Sequence, residues 1–195
     1  MLPLPEPLII SDQVTTPFLY PRSKSYGLTE SWEMGGVALS DPSEEMTKYA
    51  WHGWMDKTNI YIKRADLATE YLLLTDEQDS ITEIDVTFDQ NMRPCVTWVA
   101  GGVAKLYWYN AEIADYNTTT YAGVKNPRVS LDDKRRFNVA NSDIIFAYLK
   151  GTDLCYRLQR ERYSTEYVLV SDIDPNAKLQ KIGMGTQNRF LFYVR

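Results

Sequence analysis

The stretch IDVTFDQNMRPCVTWVAGGVAKLYWYN, residues 84–110, predicts three β-strands joined by short turns. In its first run, Ile84, Val86 and Phe88 alternate with polar residues, and a period of two is typical of a strand with one buried face. A turn follows at DQNMRP, and the pair Gly101–Gly102 supplies a tight reversal between PCVTWVA and VAKLYWYN. We therefore expect an antiparallel meander in this stretch.

The same succession of runs and turns recurs on both sides. Downstream it reads RVSLDDKRRF, DIIFAYL, KGTD, LCYRLQRER and STEYVLVSD; upstream, more loosely, it reads GVALSD, KYAWHGWM, DKTN, IYIKRAD and TEYLLLTDE. First strands enter at Val37, Val86 and Val129, third strands carry Tyr61, Tyr107 and Tyr156, and fourth strands carry Tyr71, Tyr121 and Tyr167. The first strands lie 49 and 43 residues apart, and the fourth strands 50 and 46. Four-stranded units at such a period are typical of β-propeller blades.

These patterns predict an all-β fold of antiparallel meanders repeated at about 45 residues, in a β-propeller-like arrangement. A β-sandwich and an open array of sheets are the alternatives, because strands recur at short intervals in any all-β protein. Residues 36–195 are expected to form a single β domain of three to four four-stranded units. The final run, KIGMGTQNRFLFYVR, is interpreted as the first two strands of a further unit.

Residues 1–35 differ from the rest of the chain in their proline content. The prolines are Pro3, Pro5, Pro7, Pro17 and Pro21, and they favour extended backbone that lacks hydrogen-bond donors. We predict an extended N-terminal arm that packs either on its own domain or on a neighbouring subunit. A closed ring of four units would have to complete its last unit with this arm. Pro17, Tyr20 and Pro21 are candidate interface residues.

The composition is that of a globular protein with its own core. The chain has 195 residues, of which 44% are hydrophobic and 24% are charged. Because the formal net charge is −5 and the basic residues are dispersed among acidic ones, we expect no nucleic-acid partner. The start of the chain lacks the pattern of a secretion signal, and no run approaches the ~20 apolar residues of a membrane span. We therefore expect no membrane insertion.

Few residue types suited to catalysis or metal binding are present. His52 is the single histidine, and no nucleophile elbow lies near it. Cys95 and Cys155 each lie within an apolar run, and we expect them to be buried, reduced thiols. The sequence thus predicts no catalytic residue, no cofactor and no metal site, and we expect that the protein is not an enzyme.

Carboxylates at strand ends leave one enzymatic alternative open. A glycosidase needs two carboxylates about 5 to 10 Å apart, and Asp89, Asp132 and Asp133 lie at turns while Glu70 and Glu166 lie at equivalent positions of two fourth strands. Aspartates at turns ordinarily bond their own backbone. A glycosidase-like propeller enzyme is therefore the least favoured hypothesis.

Aromatic and arginine residues provide the candidate contact residues. Trp51, Trp54, Trp98 and Trp108 could stack on a ligand such as a sugar if their rings are exposed. Arg160 and Arg162, in RLQRERY, would project from one face if this run continues as a strand. Since arginine is enriched at interfaces, these two are candidate subunit contacts.

Several phrases, taken in order, resemble one family of proteins. The phrases are YPRSKSYGLTESWEMGGVALSD, ITEIDVTFDQNMRPCVTWV, KLYWYN, NPRVSLDDKRRF, SDIIFAYLKGTDLCYRLQRERYSTEY and KIGMGTQNRFLFYVR. Together they cover most of the chain from Tyr20 to Arg195 and resemble the small virion structural proteins of tailed bacteriophages, from the tail or tail-fibre region. None of the phrases is a catalytic signature.

This resemblance implies an assembly component of the virion tail, present in several copies and without a cofactor. It would be made in the cytoplasm of the bacterial host and would contact other tail proteins at the tail tip, the baseplate or the fibre attachment. A receptor- or glycan-binding module at the tail tip is the alternative, with a host-surface molecule as its partner.

Overall fold

The computed structural model describes residues 22–25, 30–36, 48–65, 67–76, 80–89, 93–131, 143–184 and 190–195. Within these ranges the regular structure consists of β-strands and one turn of 3₁₀ helix, Gln159–Glu161. The strands form four antiparallel sheets, and in each sheet the strands follow one another in chain order. The fold is therefore all-β and built of antiparallel meanders, as predicted.

The four sheets, which we name A to D, have the following strands. Sheet A contains β1 Arg22–Ser25, β2 Glu30–Gly36, β3 Lys48–Met55, β4 Asn59–Arg64 and β5 Glu70–Thr75. Sheet B contains β6 Ile81–Phe88, β7 Pro94–Ala100, β8 Val103–Asn110 and β9 Asp115–Tyr121. Sheet C contains β10 Val124–Leu131, β11 Ile144–Lys150, β12 Asp153–Leu158 and β13 Tyr167–Val170. Sheet D contains β14 Leu179–Met184 and β15 Phe190–Val194.

Local turn chemistry sets the hairpins of sheets B and C. The β7–β8 reversal uses Gly101 and Gly102 at φ values of 58° and 74°, a left-handed backbone that glycine adopts without steric cost. The β11–β12 reversal uses Gly151 at a φ of 61°. The tight reversal predicted at Gly101–Gly102 is thus confirmed.

The predicted repeat corresponds to real strands. Tyr61, Tyr107 and Tyr156 lie in the third strand of each unit, namely β4, β8 and β12, when β2 is counted as the first strand of sheet A. Tyr71, Tyr121 and Tyr167 lie in the fourth strands, β5, β9 and β13. Val86 and Val129 lie in the first strands β6 and β10, while the first strand predicted at Val37 falls outside the described residues.

The N-terminal segment contributes to sheet A where it is described. Residues 22–25 form β1 and residues 30–36 form β2, so the boundary predicted at residue 35 falls at the end of a strand. β1 pairs with β2, and β2 pairs with β3. The arm residues 1–21 lie outside the described residues.

The sheets pack face to face in chain order. Sheet B buries one face against sheet A, where Val86 and Trp98 meet Ile60 and Ile62. It buries the other face against sheet C in a cluster that includes Leu106, Trp108, Val129 and Phe146. Sheet C in turn buries its second face against sheet D, where Ile145 and Leu154 meet Leu179 and Ile182. The middle sheets therefore lack a solvent-facing side over most of their area.

The prediction that β6 has one buried face is wrong. Asp85 and Thr87, on the polar side of the strand, are as fully buried as Val86 and Phe88 on the apolar side. The cause is tertiary, because β6 lies against β2 on one side and β10 on the other. The backbone N–H of Val129 in β10 donates a hydrogen bond of 3.0 Å to the Asp85 carboxylate.

Arg128 joins three first strands at the centre of the fold. This side chain is only 2% exposed. Its Nε donates to the carbonyl oxygen of Gln180 in β14 at 3.0 Å, and its Nη1 donates to Glu83 Oε2 in β6 at 3.4 Å. Asn126 Nδ2 donates to the same carboxylate at 3.0 Å. The guanidinium therefore links sheets B, C and D through groups that have little access to water.

Replacement of Arg128 by Met should lower the free energy of unfolding by about 3 to 5 kcal/mol, because Glu83 loses its buried cationic partner and the carbonyls of Gln180 and Pro127 lose a donor. Urea denaturation followed by tryptophan fluorescence measures this change. Lys125→Met is the matched control, since Lys125 is exposed on the same strand and should change stability by less than about 0.5 kcal/mol. A loss for Arg128→Met as small as that of the control would contradict the bridging role.

Candidate functional site

Of the three turn carboxylates of the glycosidase hypothesis, Asp89 lies within the described residues. Asp89 accepts hydrogen bonds from Arg93, with Nε 2.8 Å from Oδ2 and the backbone nitrogen 2.9 Å from Oδ1. Both oxygens of Asp89 thus hold the β6–β7 turn in place. Asp132 and Asp133 lie outside the described residues.

Glu166 lies at the centre of a polar network beside β13. Its carboxylate accepts hydrogen bonds from Tyr148 Oη at 2.6 Å, Lys150 Nζ at 2.8 Å and Arg157 Nη2 at 3.0 Å. Arg157 also donates from Nη1 to the carbonyl oxygens of Tyr163 and Ser164 at 2.9 and 2.7 Å. The network joins β11 and β12 to the segment that leads into β13.

In this network the pKa of Glu166 is lowered and the pKa of Tyr148 is raised. Burial by itself would raise the pKa of Glu166, but the hydrogen bonds from Lys150, Tyr148 and Arg157 outweigh it and lower the pKa to about 2. Burial, together with the hydrogen bond to Glu166, raises the pKa of Tyr148 well above its usual range. Glu166 and Tyr148 therefore keep their ordinary charge states near pH 7, which is the behaviour of groups that stabilise the fold.

Glu70, the glutamate at the equivalent position in sheet A, has far fewer hydrogen-bond partners than Glu166. Glu70, at the start of β5, lies 3.8 Å from Lys63 Nζ, and its side chain is more than half exposed. An exposed pair at this distance contributes little to stability. The two TEY phrases thus place glutamates at like positions with very different partners.

Two of the four candidate ligand-stacking tryptophans are buried. Trp98 is 3% exposed, and its Nε1 donates to Asp76 Oδ2 at 2.8 Å. Trp108 is 4% exposed, and its Nε1 donates to Thr119 Oγ1 at 3.2 Å. Both rings are core residues, so neither has a face free for a ligand.

The other two tryptophans are half-buried in sheet A. Trp51 packs against Phe88 with ring centroids 5.1 Å apart, on the side that faces sheet B. Trp54 lies on the opposite side of β3, between His52 at 5.1 Å and Tyr61 at 5.5 Å. Both of its neighbours are aromatic rings, so Trp54 belongs to a column of three rings on the face of sheet A that points away from sheet B.

The prediction that Arg160 and Arg162 project together from one strand is wrong. β12 ends at Leu158, Arg160 lies in the 3₁₀ turn, and Arg162 has a left-handed backbone with φ of 54°. Arg160 Nε lies 3.3 Å from Asp143 Oδ2, and Arg162 Nη1 lies 2.9 Å from Glu112 Oε2. Both side chains are more than half exposed, and a role in subunit contacts stays a prediction.

The physical reason for this turn is the side chain that follows it. Tyr163 is 1% exposed and lies between sheets B and C, with Trp108 edge-on at 5.1 Å and Phe146 edge-on at 6.3 Å. Its backbone N–H donates to the carbonyl of Leu158 at 3.0 Å. Sequence reasoning missed this residue, because the run RLQRERY has no apolar periodicity that would mark Tyr163 as core.

Three edge strands expose apolar side chains. In β5, the outermost strand of sheet A, Tyr71 is exposed and Leu72 is 57% exposed. In β13, the outermost strand of sheet C, Val168 is 54% exposed, and Leu169 and Val170 are also exposed. β15 of sheet D exposes Leu191, Tyr193 and Val194. The outermost strand of sheet B, β9, instead has the polar sequence DYNTTTY.

These three edge strands carry most of the exposed large apolar side chains among the described residues. The outward backbone groups of an edge strand have no ladder partner, and apolar side chains beside them favour pairing with another strand. β5 lies within the phrase TEYLLLTDE and β13 within the phrase STEYVLVSD, so the repeated phrase encodes two like edges. A signal was available in the sequence, since the fourth strand of a meander is its last.

Other kinds of site are not found within the described ranges. Those residues include no group of three or more His, Cys, Asp or Glu side chains that could hold a metal ion. Cys95 and Cys155 are buried, free thiols, as predicted. No helix among the described residues has the length and apolar character needed to cross a membrane.

No family model, curated protein or solved structure matches this chain. Functional inference therefore depends on the geometry of the chain itself.

Acidification should destabilise the protein through Glu166. Its pKa of about 2 in the folded state lies below the ordinary value of 4.5, so the unfolded chain binds the proton first, and this contribution to stability is lost as the pH falls from about 4.5 to about 2. The midpoint of urea unfolding, measured across this range, should fall less steeply with pH in Glu166→Gln than in the wild type. Glu70→Gln is the matched control and should keep the wild-type slope. Parallel pH profiles for the wild type and Glu166→Gln would refute this role of Glu166.

Proposed function

We propose that the protein is a structural component of a tailed-bacteriophage virion, which acts in the tail tip, the baseplate or the fibre attachment through contacts between subunits. The observation that carries the proposal is the pair of exposed apolar edges, β5 and β13. The resemblance of the sequence phrases to small tail proteins supports the same role. The partners are other virion tail proteins and further copies of this chain.

The composition of the two edges favours strand pairing over solvent exposure. Edge strands of soluble proteins are commonly protected by lysine, proline or inward-pointing charges. β5 reads EYLLLT and β13 reads YVLV, and neither contains a lysine or a proline. A strand from a neighbouring subunit would satisfy the outward backbone groups and cover Leu72 or Val168 at the same time.

The position of the edges suits an assembly with several copies. β5 and β13 end sheets A and C, and these sheets are separated by sheet B, whose own edge is polar. One subunit would thus offer two separate edges of similar chemistry to two neighbours. Contacts of this kind generate rings when the rotation between copies closes, and filaments when it does not.

A β-propeller-like arrangement of the four sheets is part of the proposal. The first strands support it, because β2 contacts β6, β6 contacts β10, and β10 contacts β14. β1 contacts β14 as well, which brings sheet A next to sheet D. In this arrangement the first strands surround the axis, and the edges β5 and β13 lie at the rim, where neighbouring subunits have access.

Purified tailed particles whose genome encodes this chain should contain it in several copies per tail. Cryo-electron microscopy of the particle locates the subunit, and quantitative mass spectrometry gives its copy number. The expected density lies at the tail tip, the baseplate or the fibre attachment, with β5 or β13 against another subunit. Particles that lack the chain, or that contain it only in the capsid, would overturn the proposal.

A lysine on either edge should weaken self-association of the purified chain. Leu72→Lys in β5 and Val168→Lys in β13 each remove apolar contact area and place a charge at the pairing edge, so each should raise the dissociation constant about tenfold or more. Sedimentation velocity over a range of concentrations measures this. Thr118→Lys, on the polar edge β9, is the matched control and should leave association unchanged. Equal effects of all three variants would argue against the apolar edges as the contact.

A further inference from the structure

Three tyrosines lie together on β8 and β9 of sheet B. Tyr109 pairs directly with Tyr116 across the two strands, and Tyr107 lies diagonally from Tyr116 on the same face. The ring centroids of Tyr107 and Tyr116 are 4.6 Å apart with an angle of 0° between the ring planes, and Tyr109 meets Tyr116 edge-on at 5.4 Å. All three side chains are half-buried. The rings therefore form one aromatic cluster that is partly exposed to solvent.

Arg93 is held against this cluster. Its guanidinium carbon lies 3.8 Å from the centroid of the Tyr109 ring, and its Nε donates to Asp89 Oδ2 at 2.8 Å. The side chain is 32% exposed. The ring on one face and the hydrogen bond at Nε together fix the plane of the guanidinium. Nη1 and Nη2 are therefore held in a defined direction before any ligand binds.

Several polar atoms of this cluster lack partners. Within the described part of the chain, Nη1 and Nη2 of Arg93 have no acceptor, and the hydroxyls of Tyr107, Tyr109 and Tyr116 have no hydrogen-bond partner. By contrast, Tyr148 donates to a carboxylate of its own chain at 2.6 Å. Phenylalanine would supply similar packing in the cluster, so the fold does not require the three hydroxyls.

The charges around the cluster indicate which class of ligand suits these groups. The carboxylate of Asp89 offsets the charge of Arg93, and burial together with the charge of Asp115 raises the pKa of Tyr107. Burial raises the pKa of Tyr116 to about 12, so its hydroxyl keeps its proton near pH 7. An anion would meet two aspartates as well as one arginine. A neutral molecule with many hydroxyls can instead accept from the guanidinium, donate to the carboxylates and place C–H groups against the rings.

We propose that Arg93, Tyr109 and Tyr116 form a binding site for a neutral saccharide on sheet B. The guanidinium nitrogens and phenol hydroxyls bind sugar hydroxyls, and the rings contact the apolar face of the sugar. The four tryptophans predicted as stacking residues do not take part in this cluster. The inference is independent of the proposed virion role, because it concerns side chains of sheet B and not the edges β5 and β13.

Saturation-transfer difference NMR of the full chain tests the site with the methyl glycosides of glucose, galactose, mannose and N-acetylglucosamine. We expect at least one of them to bind with a dissociation constant of about 1 to 20 mM, because a single sugar makes few contacts. Tyr116→Phe removes one hydroxyl and keeps the ring, so it should raise this constant about threefold or more. Arg93→Lys keeps the charge but loses the planar fork, and it should raise the constant about tenfold.

Tyr193→Phe is the matched control, because Tyr193 is an exposed tyrosine on β15, and it should leave the dissociation constant unchanged. The midpoint of urea unfolding shows whether each variant keeps the fold. If Arg93→Lys shifts this midpoint, the comparison of Tyr116→Phe with the control decides the test by itself.

Three results would overturn the inference. One is the absence of saturation transfer to every glycoside at about 50 mM. Another is binding that Tyr116→Phe leaves unchanged, since the sugar would then bind elsewhere on the chain. The third is tighter binding of methyl glucuronide or inorganic phosphate than of the neutral glycosides, because the site would then select an anion.

Discussion

The buried guanidinium of Arg128 is the interaction on which the arrangement of the sheets depends. It lies where the first strands of sheets B, C and D meet, and its donors reach Glu83 on one side and the backbone of Gln180 on the other. A buried charge is stable only when its hydrogen bonds are satisfied, and these partners come from β6 and β14 as well as from its own strand. The sheets are therefore held together at their inner strands by polar contacts, while their faces are held by apolar packing.

The same arrangement explains where apolar side chains are exposed on the surface of the molecule. Because each middle sheet packs on both faces, most of the exposed large apolar side chains among the described residues lie on β5, β13 and β15. The proposed virion role uses β5 and β13 as contacts between copies. Buried inner strands and outer strands with exposed apolar side chains form a division suited to the proposed role as a subunit of a larger assembly.

The two similar phrases, TEYLLLTDE and STEYVLVSD, illustrate how far sequence similarity extends into structure. Both were predicted as fourth strands, and β5 and β13 confirm this. Their glutamates nevertheless differ, since Glu70 has one distant lysine while Glu166 accepts from three side chains. Those partners come from β11 and β12, and their distances depend on how the chain returns through the turn before β13. Local pattern thus predicted the strands but not the network.

The sequence by itself determined the strands from β3 onward, their order within each meander and the glycine reversals, because alternation and turn chemistry depend on residues close together in the chain. Only the tertiary structure decided that Asp85 and Thr87 on the polar side of β6 are buried, that Tyr163 lies between two sheets, and that β12 ends before Arg160. Each of these outcomes depends on neighbours from distant parts of the chain. Alternation of apolar and polar residues indicates that a strand has two chemically different faces. The packing of other strands decides whether either face is exposed to solvent.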